Sequence, residues 1–254
     1  MSQFAVIIPA AGRSSRFGGM EKKPFVSLDG RAVWQRTAEV FWARSDVSKV
    51  YLVIAPEDRD DFRTRFGHMI AFGYAEKVEV VTGGAERFES VANALARIPD
   101  SVPLVAVHDA VRPLVTSALV DAVVRAAEEH GAAMLAVPVA DTLKQVDAES
   151  NRITATVPRA GVWQAQTPQV FRRDWLVEAY AKRASLGVPI TDDAQLIEAL
   201  GHAVVVVPGA PVNFKITTKD DLELADAVLK ARAAKLSAVP DAPKWGAFDD
   251  EAKW

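Results

Sequence analysis

Arg13, Arg16, Lys22 and Lys23 follow one another closely in a stretch punctuated by Gly12, Gly18, Gly19 and Pro24, a composition that reads as loop rather than helix. The loop starts where a strand should end. Phe4-Ala5-Val6-Ile7-Ile8 is short, apolar and β-branched, and Pro9, which lacks a backbone donor, should stop ladder pairing there. Ala10, Ala11 and Gly12 then let a ligand come close to the backbone. Cations gathered on a loop at a strand's carboxyl end suit a polyphosphate. Two common phosphate loops are excluded by spelling: Gly12-Arg13-Ser14-Ser15-Arg16-Phe17 has neither the Gly-Lys-Ser/Thr ending of a Walker A loop nor G-x-G-x-x-G. A solvated basic turn accounts for the same residues, since most surface charge only keeps a protein in solution.

A phosphate loop needs a scaffold, and the rest of the chain supplies one. Strand-like and helix-like segments alternate: Phe4–Ile8, helix 32–43, Val50–Ile54, helix 58–66, Val78–Val81, helix 87–98, Leu104–Val107, helix 117–129, then Ala133–Val137. The strands are apolar throughout, which predicts a mainly parallel sheet covered by helices on both faces. Ligands of such sheets bind beyond the carboxyl ends of the strands. The first loop lies at such an end, as do Thr82-Gly83-Gly84 and His108-Asp109-Ala110-Val111-Arg112-Pro113. From Val139 to about Pro168 the rhythm changes. Segments 142–146 and 152–157 alternate polar with apolar around Asp147–Asn151, which predicts a hairpin projecting from the sheet as an arm over about 139–165. Helices are expected at 173–184, 194–200 and 219–234, a strand at 203–207 and an extended piece at 213–217. The unit 1–235 reads as one domain, and 236–254, with Pro240, Pro243 and unpatterned charge, as a poorly ordered tail.

Composition narrows the function. The chain has 254 residues, half of them hydrophobic, with a net charge of −3, which argues against disorder and against a general nucleic-acid binder. Without cysteine there is no disulfide, thiolate metal site or catalytic thiol. No apolar run approaches membrane-spanning length, and a strand starting at Phe4 leaves no room for a signal peptide, so a cytoplasmic location with no membrane partner is expected.

The loop's small residues, its Gly, an Arg four positions on and a Lys before an aromatic resemble the signature of sugar-phosphate nucleotidyltransferases. Further pieces follow in order: Gly83-Gly84 with Arg87, Ser90 and Val91; His108-Asp109-Ala110 with Arg112-Pro113; Asp141-Thr142-Leu143-Lys144; Arg159 with Trp163; Gln166-Thr167-Pro168-Gln169; Thr191-Asp192; and Asn213 with Lys215-Ile216-Thr217. Together they resemble the 2-C-methyl-D-erythritol 4-phosphate cytidylyltransferase family, over roughly Phe4 to Leu229.

That resemblance implies a Rossmann-like three-layer α/β nucleotidyltransferase fold. It implies transfer of the cytidylyl group of CTP to methylerythritol phosphate with release of pyrophosphate, in non-mevalonate isoprenoid synthesis. It carries Arg16, Lys23, Arg159 and Lys215 over as catalytic residues, the first two as transition-state stabilisers and the last two as holders of the acceptor phosphate. Asp109 corresponds to the acid beside Mg²⁺. Cytosine recognition falls to Ala10, Ala11, Gly12, Gly83, Gly84 and Ser90, with Arg87, Ala110 and Arg112 around the substrate and Thr142 and Thr167 as helpers. The arm implies a homodimer. Two departures stand out: Ala85 occupies a position where many members have an acid, and Lys22-Lys23-Pro24-Phe25 inverts the usual Pro-Lys order. Spacing to Phe25 selects Lys23 over Lys22.

Plainer roles are set beside these. His108 reads as a hydrogen-bonded core histidine, Trp163 as a packing residue, Arg112 as a tie for its own loop, and Asp192-Asp193 as either a helix cap or a site contact. The rivals for function are a ribitol-5-phosphate cytidylyltransferase, which tends to have Leu-Ala-Gly-Gly where this chain has Pro9-Ala10-Ala11-Gly12, and a non-catalytic nucleotide binder, which should have lost one of the charged residues.

Overall fold

The computed structural model describes residues 2–12, 22–183 and 190–237. Arg13 and Arg16 therefore lie outside the described residues, as does 238–254 of the expected tail. In chain order the elements are β1 (Phe4–Pro9), β2 (Ser27–Leu28), β3 (Arg31–Ala32), α1 (Val33–Trp42), β4 (Val47–Ile54), α2 (Arg59–Met69), β5 (Val78–Thr82), α3 (Arg87–Leu95), β6 (Leu104–Val107), α4 (Ser117–His130), β7 (Ala132–Pro138), β8 (Leu143–Val146), β9 (Ile153–Val157), β10 (Trp163–Arg172), α5 (Arg173–Lys182), α6 (Asp193–Ala199), β11 (Val205–Pro208) and α7 (Lys219–Ser237).

Seven strands form one sheet in the order β11-β7-β10-β6-β1-β4-β5, all in one direction except β10, which is antiparallel to both β6 and β7. Successive side chains of a strand point to opposite faces, so an apolar strand needs two cores. Phe4, Val6 and Ile8 join Trp34 and Phe41 of α1, Phe62 of α2 and Val120 and Val124 of α4 on one face. Ala5 and Ile7 join Val91 of α3, Leu176 of α5 and Ile197 of α6 on the other. A third cluster, with Val111, Leu114, Ile216 and Ala225, seats α7 beside the edge where the β6 loop emerges. The termini of α4 are specified locally. Thr116 Oγ1 accepts from Leu119 N at the start, and Gly131 ends the helix at φ +86°, where a Cβ would meet the Trp175 ring at 2.5 Å.

Three readings need correction. The arm expected over about 139–165 runs into the start of β10, whose first residues pair with β7 (Trp163 with Pro138, Ala165 with Ala136) and whose last pair with β6. The projecting part is the separate two-stranded sheet β8–β9, exposed along most of its length. Pro9 does not end the pairing: it stays in register with Val53, and Ala10 N still donates to Val53 O at 2.8 Å, so the ladder stops one residue further on. Trp163 is 43% exposed rather than packed, because it sits where β10 enters the sheet from the arm. Residues 213–217, read as an extended piece, lie outside every strand and are tied by single hydrogen bonds such as Ile216 N to Val111 O at 2.9 Å. Among the described residues no helix is long and apolar enough to cross a membrane.

Candidate active site

The carboxyl ends of β1, β5 and β6 lie side by side or nearly so in the sheet, so their loops meet over one edge. There they enclose a cleft of about 450 Å³, within the range of small-molecule sites. Its walls are Pro9 at the end of β1 with Ala10–Gly12 after it, Gly84–Arg87 and Ser90 after β5, and Asp109–Val111 after β6. Lys23 and Pro24 come from the short turn after the first loop, and Lys215 from the segment before α7.

The glycine positions are demanded by proximity. A Cβ on Gly83 would come within 2.8 Å of both Ala11 Cβ and Ser90 Oγ, and one on Gly84 would collide with the Glu89 side chain. Gly84 N donates to Ser90 Oγ at 3.2 Å, which joins the loop to the first turn of α3. Gly84 thus presents bare backbone to the cleft, which a ligand can approach closely, whereas Gly83 is packed against Ala11 and Ser90 and does not line it.

The charged residues converge from distant parts of the chain. Lys215 Nζ lies 3.1 Å from Asp109 Oδ2, and Arg112 Nε donates to the same oxygen at 3.3 Å. Burial raises the Asp109 carboxyl, but Lys215, Arg87 and Arg112 outweigh it and hold the group well below the usual carboxylate range. Asp109 is therefore an anion at any working pH. Behind it runs a buried chain of hydrogen bonds: Asp109 N donates to Thr167 Oγ1 at 3.0 Å, and Thr167 Oγ1 lies 3.0 Å from His108 Nδ1, with His108 Nε2 3.2 Å from Arg112 O. A carbonyl only accepts, so Nε2 carries the proton and Nδ1 receives that of Thr167. Burial pushes the imidazole down to about 4, against the raising influence of Asp109. His108 is thus a neutral, fully bonded core residue, as read from the sequence. Arg112 ties its loop, donating from Nη1 to Asn213 O at 2.8 Å, and Thr167 stands behind Asp109; neither lines the cleft.

The paired lysines separate. Lys22 Nζ is drawn to Glu57 and Asp58, at 3.0 and 2.7 Å, while Lys23 is buried in the cleft wall. Thr142 and Arg159 are exposed on the arm, Arg159 Nη1 donating to Ala140 O, and neither lines the cleft of its own chain. Ala85 and Glu86 line it, and Glu86 went unnoticed in the sequence, where nothing distinguishes it from an ordinary helix-start acid. Asp192 caps α6 by accepting from Gln195 N at 3.0 Å, whereas Asp193 pairs with Arg87 across 106 residues of sequence, a link with no local signature.

No group of three or more His, Asp or Glu side chains able to hold a metal exists among the described residues. Mg²⁺ often makes do with one or two carboxylates plus substrate oxygens and water, and Asp109, ionised and within the wall, fits that donor set.

A mainly parallel sheet with a glycine-lined, lysine-walled cleft on its carboxyl edge fits an α/β nucleotidyltransferase of the Rossmann-like class. The profile of one family in this class, IspD, 2-C-methyl-D-erythritol 4-phosphate cytidylyltransferase, matches residues 4–231. The chain belongs to that family. It is 43% identical over 232 residues to the 2-C-methyl-D-erythritol 4-phosphate cytidylyltransferase of Bacillus velezensis, covering 91% of this chain and 97% of that one. With the Salinibacter ruber protein of the same name it shares 45% identity, over 88% of this chain and 92% of the other. Among solved structures, the 2-C-methyl-D-erythritol 4-phosphate cytidylyltransferase of Thermus thermophilus superposes with a TM-score of 0.72 at 36% identity, over 89% of this chain and 98% of that one.

Proposed function

We propose that this cleft is where the chain performs the family's reaction, joining the cytidylyl group of CTP to 2-C-methyl-D-erythritol 4-phosphate in isoprenoid synthesis. An acceptor phosphate oxygen attacks the α-phosphorus in line, the bond to the bridging oxygen breaks, and pyrophosphate leaves. No covalent enzyme intermediate is needed, so catalysis rests on positioning and on stabilising charge. The observation that carries this reading is that Lys23, Asp109, Lys215, the Ala10–Gly12 backbone, Gly84 and Ser90 line one cleft although they come from five separate segments.

Lys23 faces the charge that builds on the α-phosphate and the leaving group, and the resemblance assigns Arg16 the same role. Gly83, Gly84, Ser90 and the Ala10–Gly12 backbone receive cytosine, with Gly83 packed too closely against Ala11 and Ser90 to carry a side chain. Arg87 and Ala110 flank the phosphates. Lys215 exchanges its partner Asp109 for the acceptor phosphate. Asp109 would hold Mg²⁺, which would neutralise part of the triphosphate's charge. Arg112 and Thr167 position Asp109 from behind.

Thr142 and Arg159 serve the site of a twofold partner, through the β8–β9 arm. An isolated hairpin is marginal in water, and Val146, Ile153 and Val157 leave apolar surface on this one. The cytidylyltransferase domain spans 1–235 and works in the cytoplasm. Pyrophosphate release measured with each of the four nucleoside triphosphates and with both methylerythritol phosphate and ribitol 5-phosphate tests the reading. Turnover confined to CTP with methylerythritol phosphate is expected. Preference for ribitol phosphate would reassign the acceptor, and nucleotide binding without turnover would make the chain a non-catalytic binder.

A further inference from the structure

Asp193 is a carboxylate with only 1% of its surface exposed, and both of its oxygens are used. Oδ2 pairs with Arg87 Nη2 at 2.7 Å, and Oδ1 accepts from Tyr180 Oη at 2.5 Å. Its backbone is fixed as firmly. Gln169 Oε1, on β10, accepts from Asp193 N and Ala194 N at 3.2 and 3.0 Å, and Gln169 Nε2 donates to Asp192 Oδ2 at 2.8 Å. The first turn of α6 is thereby clamped to the middle of the sheet. Arg87, in contrast, lines the cleft, and its side chain is 37% exposed.

Burying a carboxylate is costly, and an apolar residue of similar size would pack α6 as well or better. What the carboxylate adds is direction, because a guanidinium is a planar fork whose orientation follows when one of its nitrogens is held. We propose that Asp193 is a positioning residue for the transfer reaction: it fixes one side of the Arg87 guanidinium so that the other N–H groups face the phosphates of the bound nucleotide. Without that anchor Arg87 is drawn toward Asp109, whose charge it already feels. It would then compete with Lys215 for the carboxylate that the site needs open. The proposal rests on Arg87 being a nucleotide-binding residue and goes beyond it by naming what aims it.

A double-mutant cycle separates the two ideas. Arg87→Ala, Asp193→Asn and the double variant are compared in kcat and in KM for CTP, well below their melting temperatures. Asp193→Asn should raise KM for CTP by roughly tenfold through misplacement of Arg87. In the Arg87→Ala background the same change should add less than about twofold, because the group through which it acts is gone. A packing role would give the same kinetic penalty in both backgrounds, and that result would overturn the proposal, as would wild-type kinetics for Asp193→Asn beside an impaired Arg87→Ala. Normal CTP kinetics in Arg87→Ala would instead remove Arg87 from the site and the proposal with it. If Asp193→Asn does not fold, Arg87→Lys decides: a lysine cannot grip Asp193 and phosphate together, so KM should rise most of the way to the Arg87→Ala value. Unchanged KM in that variant would refute the need for aiming.

Discussion

Replacing Lys23 by alanine should cost far more activity than the same change at Lys22, although the two are neighbours. Lys23 is only 8% exposed and lines the cleft on a turn anchored by Phe25, whose ring sits 6.1 and 6.4 Å from Phe62 and Phe66. A cation held this firmly in a partly desolvated wall acts like an oxyanion donor. Deleting one such contact costs about 2.7–4 kcal/mol of barrier, a factor of 10²–10³ in kcat. The Lys22 ammonium points instead at Glu57 and Asp58, and Glu57 is largely exposed. Pairs of that kind are worth about 0–1 kcal/mol of stability and weaken as salt rises. Lys22→Ala should therefore lower the melting temperature slightly, less so in high salt, and leave kcat within a few-fold of wild type. The assay is steady-state pyrophosphate release at saturating CTP and acceptor, with melting curves at two salt concentrations. If Lys22→Ala lost more turnover than Lys23→Ala, the assignment of this loop would be wrong.

Asp109→Asn keeps size and removes charge, so activity should fall by roughly tenfold or more and the Mg²⁺ needed for half-maximal rate should rise; an unchanged Mg²⁺ titration would leave Asp109 as a loop tether only. If the arm completes a partner's site, Lys23→Ala and Arg159→Ala chains should each be nearly inactive alone, yet random pairing in equal amounts should restore roughly a quarter of wild-type sites. Confirmed mixed dimers without recovery would show that each chain completes its own site. Stability should also report the buried His108. Its imidazole titrates near 6.5 when unfolded and about 4 when folded, so the unfolded chain alone takes up the proton between those values. The contribution is complete above pH 6.5 and is lost as pH falls toward 4, by about 3 kcal/mol in total. Urea midpoints from pH 7 to 4 in wild type and His108→Gln would check this, and equal slopes for the two proteins would contradict it.

The parallel strands and their covering helices were legible because each is a local run with its own signature. β1, residues 50–54 of β4, β6 and the first six residues of β7 are apolar on both faces, and α1, α3 and α4 between them bury one face each. β10 was not legible, and its residues say why. Gln166, Thr167 and Gln169 are buried polar groups in a central strand, tolerable only because Ala210, Asn213, Asp109, His108 and the start of α6 satisfy them. A sequence window sees three polar residues and a proline there; the partners that make them a strand lie 23 to 59 residues away.

The site divides along the same line. Sequence alone determined which loops, small-residued at Ala10–Gly12 and at Gly83-Gly84, flank the sheet edge, and, by spacing to Phe25, that Lys23 is the member of its pair that turns to the cleft. These depend on order along the chain and on residue size, both of which a sequence carries. Tertiary structure decided where each charge is spent: Lys22 on Glu57 and Asp58, Arg112 and Lys215 on Asp109, Arg87 on Asp193. It also set Arg159 and Thr142 apart from the cleft of their own chain. Charges act over a few ångströms through space whatever their separation in sequence, so their pairing exists only once the fold has brought them together.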